Sequence, residues 1–186
     1  MNLANILTIS RLLLSPVFIF VFMSEGLWAR IGAFVIVGIN ELTDLFDGII
    51  ARRRGETTDF GKLADPLADS VSRFTIFLCF LAAGYAPVWM IAFIFYRDIV
   101  VSYLRTLASI NGVVLAARQS GKYKAMAQGP SILVILILDI VREVVPLQWF
   151  NGFTYWLLAF VTLVTIISLV DYLMGNREFL RKLKLQ

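Results

Sequence analysis

The chain has 186 residues, 59% of them hydrophobic and 16% charged, with a mean hydropathy of +0.81 and a formal net charge of +4. That balance excludes an ordinary water-soluble domain and points to an integral membrane protein. With no histidine and one cysteine, the chain lacks the usual zinc ligands and cannot form an internal disulfide.

Six apolar segments near 20 residues long follow one another at about 6–24, 27–50, 63–84, 87–110, 124–145 and 152–174. Each is long enough for a hydrocarbon core of about 30 Å. The expected fold class is therefore an all-α integral membrane protein with six transmembrane helices, preceded by a short N-terminal interfacial segment, as a single domain over residues 1–186.

Asn2, Asn5, Thr8 and Ser10 place the first residues at the membrane surface, and Pro16 predicts a kink in the first span. No small-x-small pattern precedes Ser24-Glu25-Gly26, so this segment reads as a retained span rather than a cleaved signal. The second segment is apolar from Ile31 to Ile39, then turns polar at Asn40, Glu41, Thr43, Asp44 and Asp47. Residues 55–60 form a turn. Thr58 or Asp59 is a candidate N-cap for the third span, while Pro66 at a first helical position would make Asp65 the cap instead. Cys79, in an apolar run, reads as a small core residue.

Arg73 and the Arg97-Asp98 pair fall near mid-membrane, and an ion pair between Arg73 and Asp98 is expected there. The fourth span is expected to end near Arg105. Ser120-Gly121-Lys122-Tyr123-Lys124 then opens the fifth, a helix N-terminus with two lysines, which attracts anions by dipole and by charge. The terminal residues, with Phe179, Leu180, Leu183 and Leu185 among basic ones, read as a basic segment on anionic lipid. Lysines and arginines concentrate in the second and fourth loops and the tail, which predicts both termini and the aspartate-rich loop on the cytoplasmic side.

The most informative stretch is 41–69. At about 100° per residue, Asp44, Asp47, Gly48, Ala51 and Arg52 fall within an arc of roughly 140° of one helix. Gly61, Asp65 and Asp69 likewise share a face of the next. Two helices that each present carboxylates suit a hard divalent cation bound through oxygen. Carboxylates at membrane depth are costly and must be paired, protonated or metal-bound.

Asp44-x-x-Asp47-Gly48-x-x-Ala51-Arg52, eight residues, then Gly61-x-x-x-Asp65-x-x-x-Asp69 resembles, at every fixed position, the signature of the CDP-alcohol phosphotransferase family of membrane enzymes. The resemblance implies six transmembrane helices, a homodimer, and two Mg²⁺ or Mn²⁺ ions held by Asp44, Asp47, Asp65 and Asp69. It implies transfer of a phosphatidyl group from CDP-diacylglycerol to an alcohol with release of CMP, Asp69 doubling as general base and Gly48, Arg52 and Gly61 lining the CDP pocket. Asn5-x-Leu7-Thr8-x-x-Arg11, Arg97-Asp98, Val101-Ser102-x-Leu104-Arg105, Gly112-Val113 and Gly121-Lys122-x-Lys124 with Gln128 resemble the branch that forms phosphatidylglycerophosphate. The acceptor implied is glycerol 3-phosphate, its phosphate met by Arg105, Lys122, Lys124 and Arg118. Ser70 departs from that branch, where lysine is common.

Two alternatives stand beside this reading. An inositol phosphate or other polyol acceptor uses the same chemistry, because a basic phosphate site does not identify the rest of the molecule. A divalent-cation transporter also places carboxylates in a helix bundle, but its acids should line a path through the membrane. Here they cluster at one end of their helices, which disfavours transport. The expected location is the cell membrane, with the site facing the cytoplasm.

Overall fold

The computed structural model describes residues 3–54, 59–115 and 118–183, with side chains described outside 3–7, 44–66 and 182–183. Among the described residues the regular structure is all helical: α1 (Leu3–Met23), α2 (Leu27–Arg54), α3 (Asp59–Ala82), α4 (Val88–Ile110), α5 (Gln119–Val144), α6 (Phe150–Gly175) and α7 (Arg177–Leu183). Six of these coincide with the six apolar segments. Among the described residues, α5 and α6 are long and apolar enough to cross a membrane, with mean hydropathies of 1.6 and 2.2 in their most apolar windows.

Several boundaries differ from the sequence expectation. The α1 helix begins at Leu3, ahead of the first apolar run, and continues through Pro16. Just before that proline, the Ser15 hydroxyl donates to the Arg11 carbonyl at 3.0 Å. The α3 helix starts at Asp59, so Pro66 lies within it and Asp65 is not its cap. The α4 helix passes Arg105 and stops at a glycine signal. Gly112 adopts φ +68°, its N–H bonds the Ser109 carbonyl at 3.0 Å, and the Val113 N–H bonds the Ala108 carbonyl at 2.9 Å. This is a Schellman closure, which needs the left-handed residue that glycine supplies without steric penalty.

The chain divides into two compact units, residues 1–84 with 132–150, and residues 85–131 with 151–186. In the first, α1 packs on both α2 and α3. Its core carries a run of aromatic rings: Phe18 stacks on Phe22 at 5.5 Å, Phe22 meets Phe80 at 5.9 Å, and Phe80 meets Phe77 edge-on at 6.2 Å. Cys79 is buried and unbridged, as a small core residue should be.

The same unit is pinned by charge. Asp139, fully buried on α5, takes Arg142 at 2.8 Å and Arg30 of α2 at 3.4 Å, while Arg30 also reaches Glu143 at 3.2 Å. Arg142 in turn stands 4.4 Å over the Phe150 ring. In the second unit, Val101 and Leu104 of α4 pack on Tyr172 of α6, with Leu115 and Leu180 against them. Leu180 thereby docks the short α7 onto the unit.

Removing the buried carboxylate takes an ion-pair partner from both Arg30 and Arg142. Breaking a buried pair from one side typically costs about 3–5 kcal/mol, and the partial exposure of both arginines lowers this to about 2 kcal/mol. Asp139→Ala should therefore lower the melting temperature of the purified protein clearly, and Glu143→Ala much less, in a thermal unfolding series in detergent.

Candidate active site

The α2 helix runs unbroken to Arg54, and α3 runs unbroken from Asp59. Helical backbone through both stretches is the condition under which Asp44, Asp47, Gly48 and Arg52 share one face of α2, and Gly61, Asp65 and Asp69 one face of α3. The side chains of Asp44, Asp47, Arg52 and Asp65 lie outside the described ones, as do the surroundings of Gly48 and Gly61. Asp69 is described. Its carboxylate is 45% exposed, and one oxygen accepts the Arg73 Nε at 2.8 Å.

Asp69 and Arg73 line a small cavity of about 20 Å³ together with Arg11, Asn40, Glu41 and Ser72, closed by Val37 and Ile76. Arg11 is 2% exposed, a guanidinium enclosed between helices. The hydroxyls of Ser15 and Ser72 lie 3.1 Å apart and tie α1 to α3. The Asn40 side-chain oxygen is buried and accepts no hydrogen bond among the described residues. The wall beside the base candidate is thus polar on three helices, although it lies among apolar segments.

A hard divalent ion fits what is seen here. Asp69 spends one oxygen on Arg73 and keeps the other for a ligand, and the motif offers carboxylate donors only. No group of three potential ligands converges among the described residues, which include one of the four aspartate side chains.

The basic residues expected around an acceptor phosphate separate into two kinds. Lys124, buried on α5, donates to both oxygens of Asp98 at 2.8 Å, and Arg97 donates to Asp98 at 2.9 Å and to Ser168 at 3.0 Å. Arg118 donates through Nε and a terminal nitrogen to the two oxygens of Asp171, at 2.7 and 2.8 Å. These hydrogen bonds raise the Arg118 pKa above its ordinary value. Ser120 donates to the same carboxylate at 2.6 Å. Arg105 and Lys122 are exposed and have no carboxylate partner among the described residues. The Arg105 guanidinium stands 5.7 Å from the centre of the Tyr172 ring.

The expected Arg73–Asp98 pair would join residues of the two units, and each residue is described within its own. Arg73 pairs with Asp69, one helical turn before it, and Asp98 pairs with Lys124 of α5. A neighbour at i, i+4 on the same helix needs no tertiary alignment to pair.

A family model described as CDP-alcohol phosphatidyltransferase matches residues 1–174. The chain belongs to the CDP-alcohol phosphatidyltransferase family. It is 30% identical to a Bacillus subtilis protein named CDP-diacylglycerol–glycerol-3-phosphate 3-phosphatidyltransferase, over 97% of both chains. It is 35% identical to a probable phosphatidylglycerophosphate synthase of Mycobacterium tuberculosis, over 92% of this chain and 79% of that protein. A Rickettsia felis protein with the same name as the Bacillus one is 32% identical, over 88% of this chain and 91% of its own.

As a member of that family, the chain has its motif aspartates on α2 and α3, and within each unit the residues expected to act meet others that the motif does not mention. Asn40 and Ser72 line the cavity beside Asp69, and Asp171 and Tyr172 hold Arg118 and Arg105. Asp171 carried a signal, a lone acid in the apolar run of α6, which has to find a cation somewhere.

These pairings set an expected result for double-mutant cycles read by thermal unfolding. Lys124 and Asp98 should couple by about 1–3 kcal/mol, as contacting charges do.

Proposed function

We propose that this protein transfers a phosphatidyl group from CDP-diacylglycerol to glycerol 3-phosphate, giving phosphatidylglycerophosphate and CMP. The observation that carries this reading is the complete aspartate motif on two continuous helices, in a chain whose relatives over nearly its full length are named for that reaction.

In this account the acceptor hydroxyl attacks the phosphorus that bears the diacylglycerol. The bond from that phosphorus to the bridging oxygen breaks, CMP leaves, and Asp69 takes the hydroxyl proton. Arg73 holds one Asp69 oxygen and so turns the carboxylate edge toward the reacting groups. Gly48 and Gly61 admit the nucleotide where a side chain would block it, and Arg52 meets a phosphate through a charge-assisted fork. Two Mg²⁺ or Mn²⁺ ions, held by Asp44, Asp47, Asp65 and Asp69, would neutralise the pyrophosphate charge and favour departure of CMP. Arg105 and Lys122 receive the phosphate of the acceptor, within a basic cluster completed by Lys124 and Arg118.

The helices α1 to α6 are read as six membrane spans, with both termini and the site on the cytoplasmic side of the cell membrane, in a homodimer. The loop charges support that orientation. A site at the membrane surface lets the lipid half of the donor stay in the bilayer while its nucleotide reaches the carboxylates.

The test is CMP release by purified protein with CDP-diacylglycerol and Mg²⁺, offered glycerol 3-phosphate, inositol phosphate, inositol or serine in parallel. Release with glycerol 3-phosphate alone is expected, and loss of release on chelation. Release with a different acceptor instead would move the protein to another branch, and release that survives chelation would remove the metals from the account. Asp69→Asn should abolish turnover while donor binding stays measurable. Arg105→Ala should raise the KM for glycerol 3-phosphate by about tenfold or more and that for the donor by less than about twofold, the mark of a contact made to one substrate.

A further inference from the structure

We infer that Arg118 is a positioning residue rather than a direct ligand of the acceptor, and that the last turns of α6, through Asp171, Tyr172 and Gly175, hold the acceptor site in shape. The inference rests on the proposed reaction and divides its basic cluster by role.

Three observations meet at α6. The first is the closed geometry of Arg118. Its Nε and one terminal nitrogen are both spent on Asp171. The other terminal nitrogen occupies the space where a Cβ on Gly175 would stand, so any residue larger than glycine there has to displace the guanidinium. A guanidinium with its fork on a carboxylate cannot present the same fork to a phosphate, and its charge is already matched.

The second is that Asp171 reaches two places in the chain. It also accepts the Ser120 hydroxyl, in the first turn of α5, so one carboxylate fixes both the end of the α4–α5 loop and the start of the helix that carries Lys122. The third is the next residue. Tyr172 is 2% exposed, packed on Val101 and Leu104, and its ring lies beneath Arg105. Consecutive residues of α6 therefore hold the α5 start that bears Lys122 and the α4 side chain of Arg105, the two cations without a carboxylate partner.

The division of labour follows from the charges. Among the described residues Arg105 has a ring and no carboxylate beside it, and the attraction of a cation to a ring leaves its charge available to an anion. Arg118 has a carboxylate, and acts through the loop it ties down.

The test is steady-state kinetics on Asp171→Asn, Arg118→Gln, the double variant and Gly175→Ala, varying each substrate in turn. If Arg118 acts only through its seat on α6, each single change should raise the acceptor KM by about tenfold through misplacement. The donor KM should stay within about twofold, and the double variant should be no worse than either single. Asp171→Glu, which keeps the charge, should recover part of the loss. Gly175→Ala alters no charge and covers the case in which a charged variant fails to fold.

An Arg118→Gln effect about tenfold larger than that of Asp171→Asn would overturn the inference, because it would mark a direct contact. Multiplying effects in the double variant would overturn it too, as would wild-type acceptor KM in all four. Failure of the proposed reaction is read separately, from the unsubstituted protein with glycerol 3-phosphate. If another acceptor supports release, the same four variants are compared on that acceptor.

Discussion

A charge inside an apolar helix has little water to lean on, and the described part of this structure is shaped by how acids within apolar helices meet their cations. Asp139 joins the end of α5 to the start of α2 through Arg30, Asp98 joins α4 to α5 through Lys124, and Asp171 joins α6 to the loop before α5 through Arg118. Apolar helix surfaces by themselves give little preference for one helix neighbour over another. Ion pairs with hydrogen-bonding geometry supply that preference. Their value lies in specifying register rather than in net stability, because desolvation offsets much of the attraction.

The same constraint divides the functional charges. Asp69 is the described acid of the motif, and it pairs with Arg73 on its own helix while leaving half of its surface open. Of the four cations expected near an acceptor phosphate, two are neutralised by acids and two are not. In the proposed reaction, an acceptor phosphate would meet Arg105 and Lys122 without a described carboxylate partner, while Lys124 and Arg118 each hold a carboxylate.

The helices were legible because six apolar runs near 20 residues leave few ways to place the turns. The aspartate motif was legible because helical periodicity alone puts its members on shared faces. Boundaries were read less well where propensity and apolar character part company. Thr106 to Ile110 continue α4 past the end expected near Arg105 until the Gly112 closure, whereas the start of α5 agrees with the helix N-terminus expected ahead of Lys124. Partner choice was not legible at all. Depth in the membrane did not point to the same-helix acid that Arg73 meets, or to the lysine on the next helix that Asp98 meets. Asp171 was visible as an isolated acid, yet nothing in the order of residues says that the arginine it holds comes from a loop more than fifty residues earlier.

The most direct measurement is the fate of labelled glycerol 3-phosphate in phospholipid vesicles that contain the purified protein, CDP-diacylglycerol and Mg²⁺. Label that moves into the organic phase as a lipid with two phosphates, one mole for each mole of CMP released, is the result expected. CMP released without label entering lipid would mean that the donor is cleaved by water or passed to another alcohol, and would contradict glycerol 3-phosphate as the acceptor.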